Sequence, residues 1–144
     1  MQLQGIAHFG LLAGVYTDEL SCHVAADPTP VLPVRAPLYD IDEICGVVPV
    51  DYRKPYDCRE VIARIVDGSE FLEFKAEYDN QTICGRAAIH GHQVGIISNN
   101  GPITVRGATK AGQFIQMCDQ AGMPLVYLMN TTGYMVGTES EQGG

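Results

Sequence analysis

Hydrophobic positions recur at helical spacing behind a capping box in the middle of the chain. Asp57 and Glu60 have the capping-box spacing, in which two side chains satisfy free backbone N–H groups of a first helical turn. The apolar positions that follow share one helical face: Val61, Ile62, Ile65 and Val66. Because Gly68 favours the left-handed conformation that ends helices, the pattern predicts a helix over residues 57–67.

A second amphipathic helix is predicted over residues 107–121. Its apolar positions also share one face and are Ala108, Ala111, Phe114, Ile115 and Cys118. Gly122 follows as a stop signal, and Pro124 lies just beyond it, where the helix cannot continue.

Apolar runs between turn residues predict four strands. Three are predicted at residues 70–75, 81–90 and 93–98, and the run PLVYLMN, residues 124–130, is the fourth. The sequence His90-Gly91-His92 indicates a tight hairpin of antiparallel strands. The last run is continuously apolar, which is typical of a strand buried on both faces of a sheet. Strands and helices together predict an α/β domain.

Residues 1–37 differ from the rest of the chain. A Gly-punctuated apolar start leads to DPTPVLPVRAP, which holds four prolines in eleven residues and cannot be a helix. We expect an irregular N-terminal extension whose Pro-rich part is an extended linker with polyproline II character, and an ordered domain that begins near Leu38. At the other end, Thr138 and Glu141 repeat the capping-box spacing, as though a helix were about to start.

The composition indicates one globular domain and excludes several functions. The chain has 144 residues, of which 46% are hydrophobic and 18% charged. A net charge of -8 with nine Lys and Arg argues against nucleic acid as a partner. No apolar stretch approaches the roughly 20 residues of a membrane span, and the start lacks the basic region of a secretory signal. Five widely spaced cysteines fit neither a disulfide framework nor a zinc site, which favours the cytoplasm.

The loop after the last predicted strand is the first candidate site. Residues 130–138 place Gly133 and Gly137 between a buried strand and a predicted helix start. Ligands of open α/β sheets bind at the carboxyl ends of strands, and backbone N–H groups there can stabilise an oxygen that gains negative charge. A plain strand-to-helix turn is the alternative, and the spacing of two glycines alone favours it.

Two other polar groups are weaker candidates. In ISNNGP, residues 97–102, Asn99 and Asn100 either hold a ligand carbonyl or close the turn with their own side chains, and the turn is favoured. His90 and His92 have a spacing that suits a metal, but no third ligand lies nearby in the sequence, so an exposed turn is preferred and no metal site is predicted.

Three long, collinear segments carry a resemblance to a known family. They read PLYDIDEICGVVPVDYRKPYDCREVIARIVDGSEFLEFKAEY, GRAAIHGHQVGIISNNG and KAGQFIQMCDQAGMPLVYLMNTTGYMVG. Residues 37–144 thereby resemble the carboxyltransferase subunit of biotin-dependent acyl-CoA carboxylases, above all the methylcrotonyl-CoA and geranyl-CoA carboxylase branch. The resemblance implies a partial crotonase-like (ClpP/crotonase) fold. In it, residues 38–144 form the first part of the C-terminal carboxyltransferase domain, after an N-terminal segment and Pro-rich linker over residues 1–37.

The resemblance also implies a function and partners. Carbon dioxide would pass from carboxybiotin, carried on a separate biotin carboxylase or biotin carboxyl carrier subunit, to methylcrotonyl-CoA or geranyl-CoA in leucine or terpenoid catabolism. The chain itself would hold no covalent cofactor and would work within a homo-oligomer of carboxyltransferase subunits, in the cytoplasm or, in a eukaryote, the mitochondrial matrix. The alternatives are a non-catalytic crotonase-like fragment that serves assembly, and a subunit of a biotin-dependent acyl-CoA decarboxylase.

The resemblance further assigns residues to the biotin side of the site. Its backbone oxyanion loop comprises Gly133, Val136 and Gly137, which would hold the ureido oxygen of carboxybiotin without any side-chain base. Its biotin- and substrate-binding residues are Asn99, Asn100, Gly101, Thr132, Tyr134 and Met135. Because the Gly-Gly-Ala-type turn and the CoA-binding domain of the family are not matched, we expect a truncated chain that is inactive alone.

Overall fold

The structure is a computed structural model that describes residues 12–16, 31–51, 54–130 and 133–142, with only the backbone described for the first range. The strands are β1 (Leu12–Tyr16), β2 (Leu72–Glu73), β3 (Thr82–Ile89), β4 (His92–Asn99) and β5 (Leu125–Met129). The α-helices are α1 (Ile44–Val47), α2 (Cys58–Ile65), α3 (Val105–Gln120) and α4 (Thr138–Gln142). Short 3₁₀ turns cover Ile41–Glu43 and Asp67–Ser69.

The five strands form one sheet in the order β1-β5-β4-β3-β2. Strands β4 and β5 are parallel and α3 connects them, whereas the other neighbouring pairs are antiparallel. The carboxyl ends of two parallel neighbours lie at the same edge of a sheet, so the segments after β4 and β5 leave the sheet side by side. The predicted α/β fold is confirmed.

One helix covers each face of the sheet. The residues that bury α2 against it are Cys58, Ile62, Val66, Ile83, Val94, Ile96 and Leu128. Those that bury α3 on the other face are Cys84, Ile97, Phe114 and Cys118. Adjacent residues of a strand point to opposite faces, so β3 and β4 supply side chains to both clusters and form the middle of a three-layer domain.

Both predicted helices are present, with shifted ends. The first, predicted over 57–67, ends at Ile65 and passes into a 3₁₀ turn in which Gly68 has a φ of 61°. The second, predicted over 107–121, begins at Val105 because the Thr104 hydroxyl accepts a hydrogen bond from the N–H of Gly107 at 2.9 Å. Each helix therefore begins where a side chain caps its first turn.

The predicted hairpin is confirmed, and its turn has the expected left-handed geometry. His90 and Gly91 have φ values of 50° and 81°, the pair of positive angles that a two-residue type I′ turn requires. The carboxylate of Asp67 accepts hydrogen bonds from the N–H groups of both residues, at 2.9 and 2.7 Å. A buried carboxylate thus fixes the end of the hairpin that lies farthest from the segment after β4.

Two strand predictions need correction. The strand predicted over residues 70–75 contains only Leu72–Glu73, because the chain turns at Lys75, whose φ is 48°. The run PLVYLMN was expected to be buried on both faces, but in β5 only Leu128 is buried and its neighbours are half-buried. The reason is that α2 and α3 are centred on β3 and β4, which leaves β5 toward the margin of the sheet.

Regular structure also begins earlier in the chain than expected. Residues 12–16, within the segment predicted to be irregular, form β1 and pair antiparallel with β5. Residues 31–37 contain neither helix nor strand, and the N–H of Leu32 donates to the carbonyl oxygen of Gly91 at 2.8 Å. The position of the domain boundary near Leu38 stays a prediction.

Candidate functional site

The two candidate loops lie next to each other at one edge of the sheet. Strands β4 and β5 pair in parallel from Gly95 with Leu125 to Ser98 with Leu128, so both chains leave the sheet at the same edge. The segment of residues 100–104 leads from β4 into α3, and residues 133–137, called here the glycine loop, lead into α4. This is the position at which open α/β sheets bind ligands.

Two backbone hydrogen bonds join these loops. The N–H of Ile103 donates to the carbonyl oxygen of Gly133 at 3.0 Å, and the N–H of Met135 donates to the carbonyl oxygen of Ile103 at 2.8 Å. Together they form a one-residue parallel bridge between Ile103 and Tyr134. The conformation of the glycine loop therefore depends on where the segment after β4 is held.

Both glycines of the loop have a backbone conformation that other residues rarely adopt. Gly133 and Gly137 each have a φ of 137°, and a Cβ added to either would meet no atom within 4 Å. Space is therefore not what requires glycine here; the backbone angle is. The carbonyl oxygen of Gly137 accepts a hydrogen bond from the N–H of Glu141 at 2.9 Å and so begins α4, where the pattern of Thr138 and Glu141 predicted a helix.

The glycine loop offers backbone N–H groups as hydrogen-bond donors. The N–H of Met135 is used by Ile103, but in the described part of the chain no hydrogen bond occupies the N–H of Val136 or Gly137. Between Gly133 and Gly137 the sequence contains no carboxylate and no histidine. The loop can therefore donate hydrogen bonds to an oxygen that gains negative charge, and it offers no acidic or imidazole base.

The side chains of the loop form an exposed apolar rim. Tyr134, Met135 and Val136 are 71%, 46% and 83% exposed. Contiguous exposed apolar side chains beside free backbone donors are typical of a surface that a ligand or partner covers. Thr132, which was also predicted to bind substrate, lies outside the described residues.

In the segment after β4, the Asn100 side chain has a structural task. The Asn100 side chain accepts a hydrogen bond from the N–H of Cys58 at 2.8 Å and donates one to Asp57 at 3.0 Å. Asn99 is only 2% exposed, and a Cβ on Gly101 would collide with the side-chain oxygen of Gln81. The Asn100 side chain is therefore used to cap the first turn of α2 and does not close its own turn.

A network that sequence patterns did not indicate supports the same segment. The Asp79 carboxylate accepts hydrogen bonds from the Thr104 hydroxyl at 3.2 Å and from the N–H of Thr82 at 2.7 Å. The fully buried Lys110 amine donates to the carbonyl oxygen of Asp79 at 2.7 Å. Of these residues, only Thr104 carries a signal that could have indicated it, since Thr is common as a capping residue just before a helix. Asp79 and Lys110 are 31 residues apart and had none.

Charges near this network are paired, and the neighbouring thiol is inert. Glu73 binds the Arg59 guanidinium with two hydrogen bonds of 2.8 and 2.9 Å, which raise the pKa of Arg59, and it lies 3.6 Å from the Lys110 amine. Burial raises the pKa of Cys84 to about 12, although the Lys110 charge acts in the opposite direction. The Arg59 guanidinium therefore stays charged, and the Cys84 thiol stays protonated near neutral pH.

The remaining candidates lie elsewhere. His90 and His92 are at the turn of the β3–β4 hairpin, at the end opposite to the glycine loop. Within residues 31–51, 54–130 and 133–142, no three His, Cys, Asp or Glu side chains are grouped so that they could hold a metal ion. None of the helices in the described ranges has both the length and the apolar character needed to cross a bilayer.

Comparisons with known proteins identify a family. The model of the carboxyl transferase domain matches residues 17–144. The structure of the geranyl-CoA carboxylase beta subunit of P. aeruginosa is similar, with a TM-score of 0.76 and 60% identity over 81% of this chain and 23% of that one. The transcarboxylase 12S structure has a TM-score of 0.69 and 34% identity over 83% of this chain and 23% of that one.

Among curated proteins, the mitochondrial methylcrotonoyl-CoA carboxylase beta chain of Dictyostelium discoideum is 50% identical over 118 residues. That match covers 81% of this chain and 20% of the Dictyostelium protein. The chain thus spans about a fifth of the length of such relatives. With its partial crotonase-like fold and its match over residues 17–144, the chain belongs to the carboxyl transferase domain family.

Proposed function

We propose that this chain forms the biotin side of a carboxyltransferase that moves CO2 from carboxybiotin to a branched unsaturated acyl-CoA. The observation that carries the proposal is the glycine loop at the carboxyl ends of β4 and β5, with the N–H groups of Val136 and Gly137 unoccupied in the described structure. The relatives support the acyl-CoA, since they are a geranyl-CoA carboxylase subunit and a methylcrotonoyl-CoA carboxylase chain.

The residues present fit carboxybiotin. Its ureido oxygen needs hydrogen-bond donors, and its ring system is compact and largely apolar. The glycine loop offers two backbone donors beside the exposed side chains of Tyr134 and Met135, and nothing crowds the Cα atoms of its glycines. When bound, carboxybiotin supplies an activated carboxyl group and, once that group has left, a nitrogen that accepts a proton.

The chain's own contribution is electrostatic. The N–H groups of Val136 and Gly137 would donate to the ureido oxygen as its negative charge grows, and a single donor of this kind typically contributes about 10²–10³ in rate. Gly133 sets the backbone angle at which the loop begins. Tyr134 and Met135 would line the ring, and Thr132, Asn99 and Gly101 would shape the pocket. The Asn100 side chain, whose hydrogen bonds to Cys58 and Asp57 already occupy it, would act by holding the segment after β4 in place.

The proposal includes partners and a location. A biotin carboxylase or biotin carboxyl carrier subunit would deliver the carboxyl group, and copies of the carboxyltransferase subunit would assemble with one another. The transcarboxylase 12S relative is described as a hexamer, which supports such an assembly. The carboxyl transfer would take place in the cytoplasm, or in the mitochondrial matrix of a eukaryote. It would belong to leucine catabolism if the substrate is methylcrotonyl-CoA, or to terpenoid catabolism if it is geranyl-CoA.

Carboxylation of a panel of acyl-CoA substrates tests the function. The intact protein, assembled with a biotin carboxylase and a carboxybiotin carrier, would be given methylcrotonyl-CoA, geranyl-CoA and propionyl-CoA in parallel. We expect kcat/KM for one of the two branched unsaturated substrates to exceed that for propionyl-CoA at least about tenfold, which is the discrimination that a shaped acyl pocket gives. Equal rates on all three substrates would contradict the proposed substrate class.

Replacement of Gly137 tests the loop. Because φ is 137° at this position, Gly137→Ala should shift the N–H groups of the loop and lower kcat about a hundredfold. Gly46→Ala is the matched control: a Cβ there also meets no atom within 4 Å, but Gly46 lies in α1 without a positive φ. An unchanged kcat in Gly137→Ala would show that the loop is only a turn.

A further inference from the structure

We propose that Asp79 is a positioning residue for the glycine loop of residues 133–137 and acts on it through Thr104 and Ile103. Asp79 lies in neither candidate loop, and the hydrogen bonds that its carboxylate accepts in the described part of the chain come from Thr82 and Thr104, outside the glycine loop. Its effect on catalysis rests on the function proposed above, whereas its effect on the shape of the loop does not.

The first step is the fixed position of the Asp79 carboxylate. One oxygen accepts a hydrogen bond from the N–H of Thr82 at the start of β3, at 2.7 Å, which leaves the other oxygen for Thr104. The backbone of Asp79 is also held by Lys110, which is fully buried and donates to its carbonyl oxygen. An ammonium group without solvent contact needs such an acceptor, so Lys110 and Asp79 constrain each other.

The second step is the position of Thr104. Its hydroxyl donates to Asp79 and accepts from the N–H of Gly107, so one hydroxyl joins the segment just before β3 to the first turn of α3. The close approach depends on Gly107, since a Cβ there would collide with the Thr82 hydroxyl and lie 3.1 Å from the Asp79 carboxylate. Thr104 therefore has one orientation, with both its donor and its acceptor used.

The third step is the transfer of that position to the loop. Ile103 immediately precedes Thr104, and its N–H and carbonyl oxygen make the two hydrogen bonds to Gly133 and Met135. A rotation of the backbone at Thr104 would move both of these partners. Asp79, Thr104 and Ile103 thus form a continuous connection from the start of β3 to the loop that carries the proposed N–H donors.

Asp67 provides a matched comparison within the same fold. Its buried carboxylate also holds two polar groups, the N–H groups of His90 and Gly91, but at the opposite end of the β3–β4 hairpin. Loss of either carboxylate should lower overall stability. Only loss of Asp79 should act on the glycine loop selectively.

Hydrogen–deuterium exchange of the Met135 amide in the intact protein tests the connection without any activity assay. Thr104→Val removes the hydroxyl and keeps the shape, Thr104→Ser keeps the hydroxyl, and Asp79→Asn removes the negative charge and one acceptor. We expect Met135 to exchange about tenfold faster in Thr104→Val and Asp79→Asn, the factor expected for loss of about one hydrogen bond. In Thr104→Ser the exchange rate of Met135 should stay within about twofold of wild type. In all variants the exchange rate of the core amide of Ile96 should increase less than that of Met135 does in Thr104→Val and Asp79→Asn.

The outcomes separate positioning from general destabilisation. Unchanged exchange at Met135, or equal acceleration at Met135 and Ile96, would overturn the proposal. Selective acceleration at Met135 in Asp67→Asn would also overturn it, because the effect would not be specific to Asp79. If Thr104→Val does not accumulate as folded protein, Asp79→Asn provides the same comparison.

Kinetics then test the catalytic consequence. In the assembled enzyme, Thr104→Val should lower kcat about tenfold with an unchanged KM for the acyl-CoA, and Thr104→Ser should restore it. If Met135 exchange is accelerated in Thr104→Val but kcat does not fall, the catalytic part of the proposal is overturned. If the wild-type assembly carboxylates none of the acyl-CoA substrates, the proposed function fails, while the exchange of Met135 still decides whether Asp79 positions the loop.

Discussion

The side-chain oxygen of Asn100 accepts a hydrogen bond from the backbone N–H of Cys58 at 2.8 Å, so the loop after β4 caps the first turn of α2. Asp57 satisfies a second N–H of that turn, from Arg59 at 3.0 Å, and receives a hydrogen bond from the Asn100 amide. The first turn of a helix has N–H groups without intrahelical acceptors. Two side chains from distant parts of the sequence therefore complete this helix start together.

Asn100→Ala should destabilise the protein. The substitution leaves the N–H of Cys58, a residue that is 1% exposed, without its acceptor, and we expect the free energy of unfolding to fall by about 1–3 kcal/mol. Urea denaturation measures the change. The control is Asn80→Ala at an exposed position, which should stay within about 0.5 kcal/mol of wild type. Similar losses in both variants would show that the cap contributes nothing specific.

The same helix start should make stability depend on pH. Burial tends to raise the pKa of Asp57, but hydrogen bonds from Arg59 and Asn100 and the Arg59 charge outweigh it and lower the pKa below its ordinary value of 3.8. A carboxylate with a lowered pKa in the folded state stabilises at pH values above the unfolded pKa, and this stabilisation is lost as the pH falls through the folded pKa.

Asp57→Asn measures this contribution. The difference in unfolding free energy between wild type and Asp57→Asn should be constant from about pH 5 to 8 and should shrink below about pH 4. Urea titrations at a series of pH values follow it. A difference that grows as the pH falls would mean that the charged form of Asp57 is not the one that the fold prefers.

Gly95 lies where side chains of α3 and β5 pack closely against β4. A Cβ at this position would lie 2.7 Å from the Cys118 sulfur and 2.8 Å from Cδ2 of Leu125. Gly95→Ala should therefore lower the free energy of unfolding by about 1–3 kcal/mol through overpacking. Gly112→Ala, on the exposed side of α3 with no atom within 4 Å, should instead raise it by about 0.5–1 kcal/mol. Thermal denaturation compares the two, and a neutral Gly95→Ala would contradict the packing.

Elements with a local pattern could be predicted from the sequence. The periodicity of Val61, Ile62, Ile65 and Val66 depends only on neighbours along the chain, and it located α2 within two residues at its carboxyl end. The His90-Gly91 turn also carries its own signal, because Gly91 accepts a positive φ at no cost. These features follow from the backbone geometry of consecutive residues.

Features that depend on pairing could not be predicted. Strand β2 has only two residues because the chain turns at Lys75. Strand β1 forms because it pairs with the free edge of β5, and the local sequence of residues 12–16 does not indicate that partner. At the candidate site, the sequence indicated the glycine loop and the segment after β4, but not the two backbone hydrogen bonds of Ile103 that join them. Spacing gave two separate turns, and only the parallel pairing of β4 and β5 brings them together.

The cysteines should differ sharply in reactivity. Burial raises the pKa of Cys58 to about 11 and that of Cys84 to about 12, so these thiols stay protonated at pH 8 and lie out of reach of reagents, whereas Cys45 is exposed. Because the thiolate is the nucleophile, iodoacetamide should modify Cys45 at least about a hundredfold faster than Cys58 or Cys84. Peptide mass spectrometry after timed labelling measures each site, and unfolding in urea, which should equalise the rates, is the control. Labelling of Cys84 as fast as Cys45 in the native protein would mean that the cluster of α3 with β3 and β4 opens readily, which would contradict the burial of Cys84 in that cluster.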